Sequence, residues 1–378
     1  MKIVADNKIP FLKGVLEPYA EVAYYPGTEI NAKLVNDADA LLVRTRTKCN
    51  ANLLENSKVK FIATATIGFD HIDTAYCESK DIRWTNAPGC NSVSVMQYIA
   101  SALVFLSEKY NFNYSDKTLG VVGGGNVGSK VALLASGLGM KVLLNDPPRE
   151  RVEGKGKFVS LQEIQENADI ITFHVPLNNK GVDKTYHLVD EDFLHGIKPE
   201  TIIINSSRGE VVSAASLKKA LKEKKIKAAL LDVWENEPLI DKELLDLVDI
   251  GTPHIAGYSA DGKAMGTAMS VQALSRFFNF NLNNWLPDNI PQVHNNKIEI
   301  DCKELNIQEV INKAVLATYN IENDSTALKK SLKTFEAQRG NYPLRREFHA
   351  YEVCLKNDKN NIGQLLSTLG FRIHGRNK

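Results

Sequence analysis

A chain of 378 residues exceeds one ordinary hydrophobic core and suits two or three domains. With 43% hydrophobic and 24% charged residues it has the composition of a globular protein, which excludes a disordered or fibrous one. Lys plus Arg is 46 against 45 for Asp plus Glu, so no broad basic field exists to hold a nucleic acid or an anionic membrane.

Residues 1–92 alternate short apolar runs with amphipathic segments. The runs are KIVAD, EVAYYP, DALLVRT, VKFIATAT and IRWTNAP. This pattern predicts a doubly wound parallel sheet with helices on its faces. The start, MKIVAD, lacks the charged, apolar and small-residue succession of a signal peptide. Cys49, Cys77, Cys90, Cys302 and Cys354 are odd in number and show neither CxxC nor zinc-like spacing, so free thiols in a reducing cytoplasm and no metal site are expected.

The apolar stretch from Val93 to Leu106 is interrupted by Ser94, Gln97 and Ser101, and it is shorter than the roughly 20 residues that span a bilayer. It reads as a buried helix that Asn91 and Ser92 can cap. A second α/β domain, residues 93–259, follows with LGVVGG, a helix near 126–139, KVLLND, ADIITFHVP, TIIINSS and AALLDVW. A helix at about 260–285 is positioned to return to the first domain. Residues 286–378 begin with the linker-like LPDNIPQVHNN and predict a small α+β domain with strands at KIEID, EVCLK and FRIH.

The turn GGGNVG at residues 123–128 stands between an apolar strand and a helix, which is the context a dinucleotide fingerprint needs. Gly123 permits the tight turn, Gly125 lets backbone approach a pyrophosphate, and Gly128 allows helix and strand to pack closely. After the next strand comes Asp146, placed to hydrogen-bond a ribose 2′-hydroxyl and to repel the 2′-phosphate of NADP. NAD is therefore the expected cofactor. Arg149 argues the other way, and a solvated Asp146 capping a turn is the alternative reading.

Three further motifs follow: NSSRGEVV at 205–212, LDVWENEP at 231–238 and TPHIAGYS at 252–259. With ATATIGFDHID ending at Asp73, NAPGCNSVSV at 86–95, DPPR at 146–149 and TFHVPL at 172–177, they make the whole chain resemble the D-2-hydroxyacid dehydrogenase family. The resemblance implies two doubly wound domains, a flavodoxin-like substrate-binding domain over residues 1–92 and a Rossmann NAD domain over 93–259, and a catalytic set of Arg208, Glu237 and His254. Oxidising a 2-hydroxy acid removes a hydroxyl proton while hydride leaves C2, and an imidazole of ordinary pKa near 6.5 suits the base. In that scheme Glu237 fixes the tautomer of His254 and raises its pKa, and Arg208 binds the substrate carboxylate and polarises the C2 oxygen. His174 and His187 are the rival bases.

The resemblance further implies cofactor contacts at Asn126, Val127, Val175, Ser206, Ser207, Asp232 and Gly257, beside Gly123, Gly125, Gly128 and Asp146. Val175 stands where a threonine is frequent, so a contact there falls to the backbone. Thr45, which replaces a common serine, Thr66 and Tyr258 are the implied substrate contacts. In RTRTK at 44–48, continuation of the strand places Arg44, Arg46 and Lys48 on one side, where they hold a phosphate or form a solvated face. The resemblance implies a small phosphorylated 2-hydroxy acid as substrate, in the biosynthesis of pyridoxal 5′-phosphate. Alternatives are a dehydrogenase of another 2-hydroxy acid such as 3-phosphoglycerate, and a non-enzymatic NAD-sensing corepressor. A homodimer through residues 286–378 is also implied.

Overall fold

The computed structural model describes residues 1–358 and 360–374. The chain divides into two compact units, one of Met1–Asn91 with Tyr258–Pro291, the other of Ser92–Gly257 with the chain from Gln292 onward.

The first unit holds five parallel strands: β1 (Lys2–Asp6), β2 (Glu21–Tyr25), β3 (Ala40–Val43), β4 (Phe61–Thr64) and β5 (Arg83–Thr85). Their order, β2-β1-β3-β4-β5, is the flavodoxin-like one expected. The central strands β3 and β4 are buried along their whole length, so they read as unbroken apolar runs without alternation. Val4, Leu41, Val43 and Ile62 pack on one face, while Ile3, Leu42, Phe61 and Ala63 pack on the other beneath Val271 and Leu274. Those last two belong to the helix Ala260–Phe278, which Ser259 caps through the Gly262 N–H. The helix meets the sheet closely at Gly266, where a Cβ would lie 2.7 Å from Ala65 O.

The second unit carries β6 (Thr118–Val122), β7 (Lys141–Asn145), β8 (Ile170–Phe173), β9 (Ile202–Asn205), β10 (Ala228–Leu231) and β11 (Ile250–Gly251), all parallel, in the order β11-β10-β9-β8-β6-β7. At the edge of β7, where the usual dinucleotide-binding order has a further strand, the Val159 N–H donates to Leu144 O at 2.8 Å. The apolar stretch from Val93 lies in the helix Ser92–Tyr110, which is buried on nearly all sides. Ser92 is already helical, and Asn91 Oδ1 is buried without a hydrogen-bond partner, so Asn91 does not make the cap expected of it. No helix among the described residues is long and apolar enough to cross a membrane.

The chain from Gln292 forms a three-stranded sheet of β12 (Lys297–Asp301), β13 (Glu352–Lys356) and β14 (Arg372–Ile373), in the order β12-β13-β14. Its pairs are parallel, and the helix Ile307–Thr318 between the first two strands begins with a capping box of Asn306 and Glu309. The five cysteines are free thiols.

Candidate active site

The glycine turn leaves β6 with Gly123 at φ +93°, and its N–H donates to Asn145 O at 2.8 Å. A Cβ on Gly123 would come within 2.5 Å of His174 O, and one on Gly128 within 1.8 Å of Gly123 O. A Cβ on Gly125 would meet nothing within 4 Å. Two glycines are thus required by the protein's own packing, while Gly125 keeps an exposed stretch of backbone approachable. The helix Gly128–Gly137 that follows has no side-chain cap and no acid in its first turn, so its N–H groups and positive dipole end are available to an anion. It is shorter than predicted because residues 126–127 belong to the turn.

Asp146 performs the capping role that sequence offered as an alternative. Oδ1 accepts from the Arg149 N–H at 3.0 Å, capping the helix Pro147–Glu153, and Oδ2 accepts from the Gly124 N–H at 2.8 Å. Each carboxylate oxygen retains acceptor capacity for a ribose hydroxyl. Arg149 is paired with Glu153 at 2.6 Å and also donates to Gly124 O, so it is engaged within the protein. Val175 Cγ1 lies 2.9 Å from the Cβ position of Gly123, beside the turn. Ser206 Oγ is buried without a hydrogen-bond partner, as an atom reserved for a ligand would be. Open backbone at Gly125, an uncapped helix end and this orphan hydroxyl all fit a dinucleotide.

Arg208, Glu237 and His254 follow the carboxyl ends of three adjacent strands, β9, β10 and β11. Parallel strands deliver their following loops to one edge of the sheet, where ligands bind. Asn205, buried at the end of β9, shapes the first loop. Its Oδ1 accepts from the Ser207 N–H at 3.0 Å and Oγ at 2.8 Å, and its Nδ2 donates to Arg208 O at 2.8 Å. A Cβ on Gly209 would sit 2.0 Å from Trp234 C and O, so this loop lies directly against the one that carries Glu237. Arg208 Nη1 donates to Ser207 O at 2.8 Å.

Glu237 Oε2 and His254 Nδ1 are 2.7 Å apart, and Glu237 Oε1 accepts from the Trp234 N–H at 2.9 Å. Burial alone would raise the Glu237 carboxyl, but the His254 hydrogen bond and charge, with Trp234 N–H, carry it below its ordinary value. Glu237 is therefore an anion near neutrality. Its partner nitrogen must donate, so Nδ1 of His254 bears a hydrogen and Nε2 of the neutral ring keeps a lone pair for a substrate proton.

The depressed carboxyl has a pH signature. Ionised Glu237 adds stability that is fully present above the unfolded value near 4.5 and is lost as pH falls through the lower folded value. Comparing urea unfolding of the wild type and Glu237→Gln from pH 7 to pH 3 is expected to show a difference that persists to about pH 5 and shrinks below it. A difference that instead shrinks between pH 7 and pH 5 contradicts the assignment.

His254 has φ +57°, a left-handed conformation that non-glycine residues seldom adopt. Asp232 holds it there. Asp232 O accepts from the His254 N–H at 2.7 Å, Oδ1 accepts from the Ile255 N–H at 2.7 Å, and Oδ2 accepts from the Ala256 N–H at 2.9 Å. Thr252 Oγ1 also donates to Oδ1 at 2.7 Å, which leaves the Tyr98 hydroxyl to donate to Thr252 at 2.8 Å. Burial pushes the Asp232 carboxyl up, against the lowering effects of the His254 charge and these hydrogen bonds. Asp232 thus organises the histidine loop, in addition to the cofactor contact implied for it. Behind the loop, buried Arg345 stacks 4.6 Å over the Tyr319 ring and donates from Nη2 to Ala256 O, next to Gly257.

The rival histidines have other partners. His174 Nε2 bonds Thr172 Oγ1 at 3.0 Å, and burial pushes its imidazole down to about 3, so it stays neutral beside the glycine turn. His187 Nε2 lies 2.7 Å from Glu235 Oε1, while the other oxygen of Glu235 accepts from the Ala214 N–H at 2.8 Å. In that second imidazole–carboxylate pair His187 comes from the segment between β8 and β9, not after β11, and Glu235 from the loop after β10.

Thr45, Thr66 and Tyr258 belong to the first unit. Thr45 and Thr66 follow the adjacent strands β3 and β4, and Tyr258 immediately precedes the Ser259 cap, with Lys263 Nζ 4.7 Å from its ring centroid. Exposed Asn126 and half-buried Val127 lie in the glycine turn. The prediction that Arg44, Arg46 and Lys48 share a strand face is corrected: β3 ends at Val43 and the chain turns, with Thr47 N–H donating to Arg44 O at 3.3 Å. Alternation does not apply in a turn. No group of three or more His, Cys, Asp or Glu among the described residues can hold a metal ion.

Comparison with known proteins agrees with this geometry. Residues 104–256 match the D-isomer specific 2-hydroxyacid dehydrogenase, NAD binding domain, and residues 290–370 match a domain of unknown function, DUF3410. The chain is 52% identical to an erythronate-4-phosphate dehydrogenase of Bacteroides fragilis, over 94% of this chain and 99% of that one. It is 42% identical to the Porphyromonas gingivalis enzyme of that name, over 93% and 95%. The crystal structure of a D-lactate dehydrogenase from Aquifex aeolicus, complexed with NAD and lactic acid, superposes with a TM-score of 0.59 at 27% identity, covering 74% of this chain and 96% of that one. These names favour the dehydrogenase reading over a phosphoglycerate enzyme or a corepressor. The chain belongs to the erythronate-4-phosphate dehydrogenases, within the D-isomer-specific 2-hydroxyacid dehydrogenase family, and carries that family's NAD-binding domain.

Proposed function

We propose that the protein oxidises 4-phospho-D-erythronate at C2, giving 2-oxo-3-hydroxy-4-phosphobutanoate, in the biosynthesis of pyridoxal 5′-phosphate. The observation that carries the chemistry is the 2.7 Å contact between Glu237 and His254 beside the Arg208 loop. NAD, when bound, supplies the hydride acceptor. The glycine turn, Asp146, Ser206, Ser207 and Asp232 are the residues proposed to hold it, with Asn126, Val127, Val175 and Gly257.

His254 Nε2 takes the C2 hydroxyl proton, and Glu237 stabilises the imidazolium that results. Arg208 holds the substrate carboxylate and offers positive charge to the oxygen at C2 as it becomes a carbonyl. Thr45, Thr66 and Tyr258 are the further residues proposed to contact the substrate. The specific substrate rests on the relatives' names. Following NADH absorbance with 4-phospho-D-erythronate, 3-phosphoglycerate, glycerate and lactate is expected to show the highest kcat/KM for the first; preference for any other sinks the assignment.

A homodimer formed through residues 286–378 is proposed as well. Exposed Ile307 and Leu344 support it, as does a segment too small to bury a large core alone. Light scattering that returns the mass of one chain contradicts it. The five free thiols support a reducing, cytoplasmic location.

A further inference from the structure

Arg345 is a permanently charged side chain in the interior that takes no part in the proposed proton or hydride transfer. It lies in the chain from Gln292, within the same compact unit as the NAD-binding domain. The residue is 4% exposed, and its Nη2 donates to two backbone carbonyls, Ala256 O and, at 3.4 Å, Ser94 O. Its Cζ lies 4.6 Å from the centroid of the Tyr319 ring, and the Tyr319 hydroxyl donates to Asp324 at 2.8 Å. The residues that follow are tied to the helix Ser92–Tyr110: Gln97 Nε2 donates to Arg346 O at 3.0 Å, and Ser94 Oγ to Glu347 Oε1 at 2.9 Å. Arg345 Nε and Nη1 are buried without an acceptor. A buried guanidinium with two idle donors costs stability rather than adding it, which points to what Nη2 holds.

We propose that Arg345 is a positioning residue that sets the orientation of the histidine loop, so that the chain from Gln292 completes the geometry of His254. The inference rests on the reading of His254 as the base. The loop is gripped through both kinds of backbone group. Asp232 takes N–H groups, that of Ile255 on Oδ1 and that of Ala256 on Oδ2. Arg345 takes the next carbonyl, Ala256 O, and so fixes the peptide plane between Ala256 and Gly257. Ala256 is 1% exposed, so without Arg345 its carbonyl is unpaired and away from water, a state that backbone avoids. Gly257 has no Cβ to resist rotation of that peptide, and rotation turns the carbonyl away. His254, already at φ +57°, shares this short loop, so the relaxation reaches the imidazole that takes the C2 hydroxyl proton.

The test is the rate constant of NADH formation in a single turnover of 4-phospho-D-erythronate, at saturating NAD and saturating protein. Under these conditions an unfolded fraction leaves the rate constant unchanged, whereas a displaced imidazole lowers it. Arg345→Met, which fills the site with an unbranched apolar chain, is expected to stay folded by circular dichroism. Its rate constant is expected to fall about tenfold or more, the effect of a misplaced catalytic group. Tyr319→Leu removes the ring that orients the guanidinium and is expected to lower the constant several-fold, whereas Tyr319→Phe keeps the ring and stays within about twofold of the wild type. Arg345→Met with the wild-type rate constant overturns the proposal, whatever its melting temperature. So does equal behaviour of Tyr319→Leu and Tyr319→Phe, and this pair decides the matter if Arg345→Met does not fold. Failure of the proposed function shows separately, with Arg345 in place: the wild type leaves the substrate unoxidised, or His254→Ala is as fast as the wild type.

Discussion

His254→Ala is expected to lower kcat by about 10²–10⁴-fold while the affinity for NAD changes little. The reason is local. The imidazole is the group proposed to take the substrate proton, whereas the glycine turn and Asp146 follow β6 and β7, and β8, β9 and β10 separate them from β11 in the sheet. Glu237→Gln is expected to lose less, because the ring survives but the anion that orients it and stabilises its charged form is gone. Stopped-flow NADH formation gives the rates, and cofactor fluorescence titration gives the affinity. A variant without His254 that turns over at the wild-type rate moves the base elsewhere, with the His187–Glu235 pair next in line.

Gly128→Ala is the second large effect, and it reverses the pattern. A Cβ there would lie 1.8 Å from Gly123 O, which is backbone and can yield only by opening the turn. Overpacking of this kind costs about 1–3 kcal/mol or more, and here the distortion falls on the N–H groups that face the cofactor. NAD affinity is expected to drop about 100-fold or more, with a lower melting temperature. Gly125→Ala is the informative companion, because its Cβ meets no protein atom within 4 Å. Its loss of affinity is expected without a loss of stability, since only the approaching ligand is obstructed. A Gly125→Ala protein that binds NAD normally contradicts the placement of the pyrophosphate.

Much of this architecture can be read directly from the residues. Strands buried on both faces are continuous apolar runs, so KIVAD, FIAT and IIIN mark β1, β4 and β9 by composition alone. The fingerprint is equally local: Gly123, Gly125 and Gly128 each meet a different requirement of one turn. The three positions proposed as catalytic, Arg208, Glu237 and His254, are legible because each lies in a motif that follows one of three successive strands.

What stays hidden is what supports them. Tyr98 reaches Thr252 across 154 positions, and Arg345 reaches Ala256 across 89, and no period or motif encodes such meetings. Trp234 and Asn205 sit inside the quoted motifs, yet their roles depend on where their polar atoms point: Trp234 Nε1 bonds Thr252 O at 2.9 Å. The error at Arg44, Arg46 and Lys48 has a plain cause. Strand alternation holds only as far as Val43, after which the backbone turns.

The central claim is that hydride leaves C2 of a phosphorylated 2-hydroxy acid while His254 holds the hydroxyl proton. Single turnover of 4-phospho-D-erythronate carrying deuterium at C2, with NAD and excess protein, tests it most directly. The reduced cofactor is expected to carry the deuterium, on the wild type and at a strongly reduced rate on His254→Ala. Reduced cofactor without the label, or labelled cofactor formed equally fast by both proteins, contradicts the account.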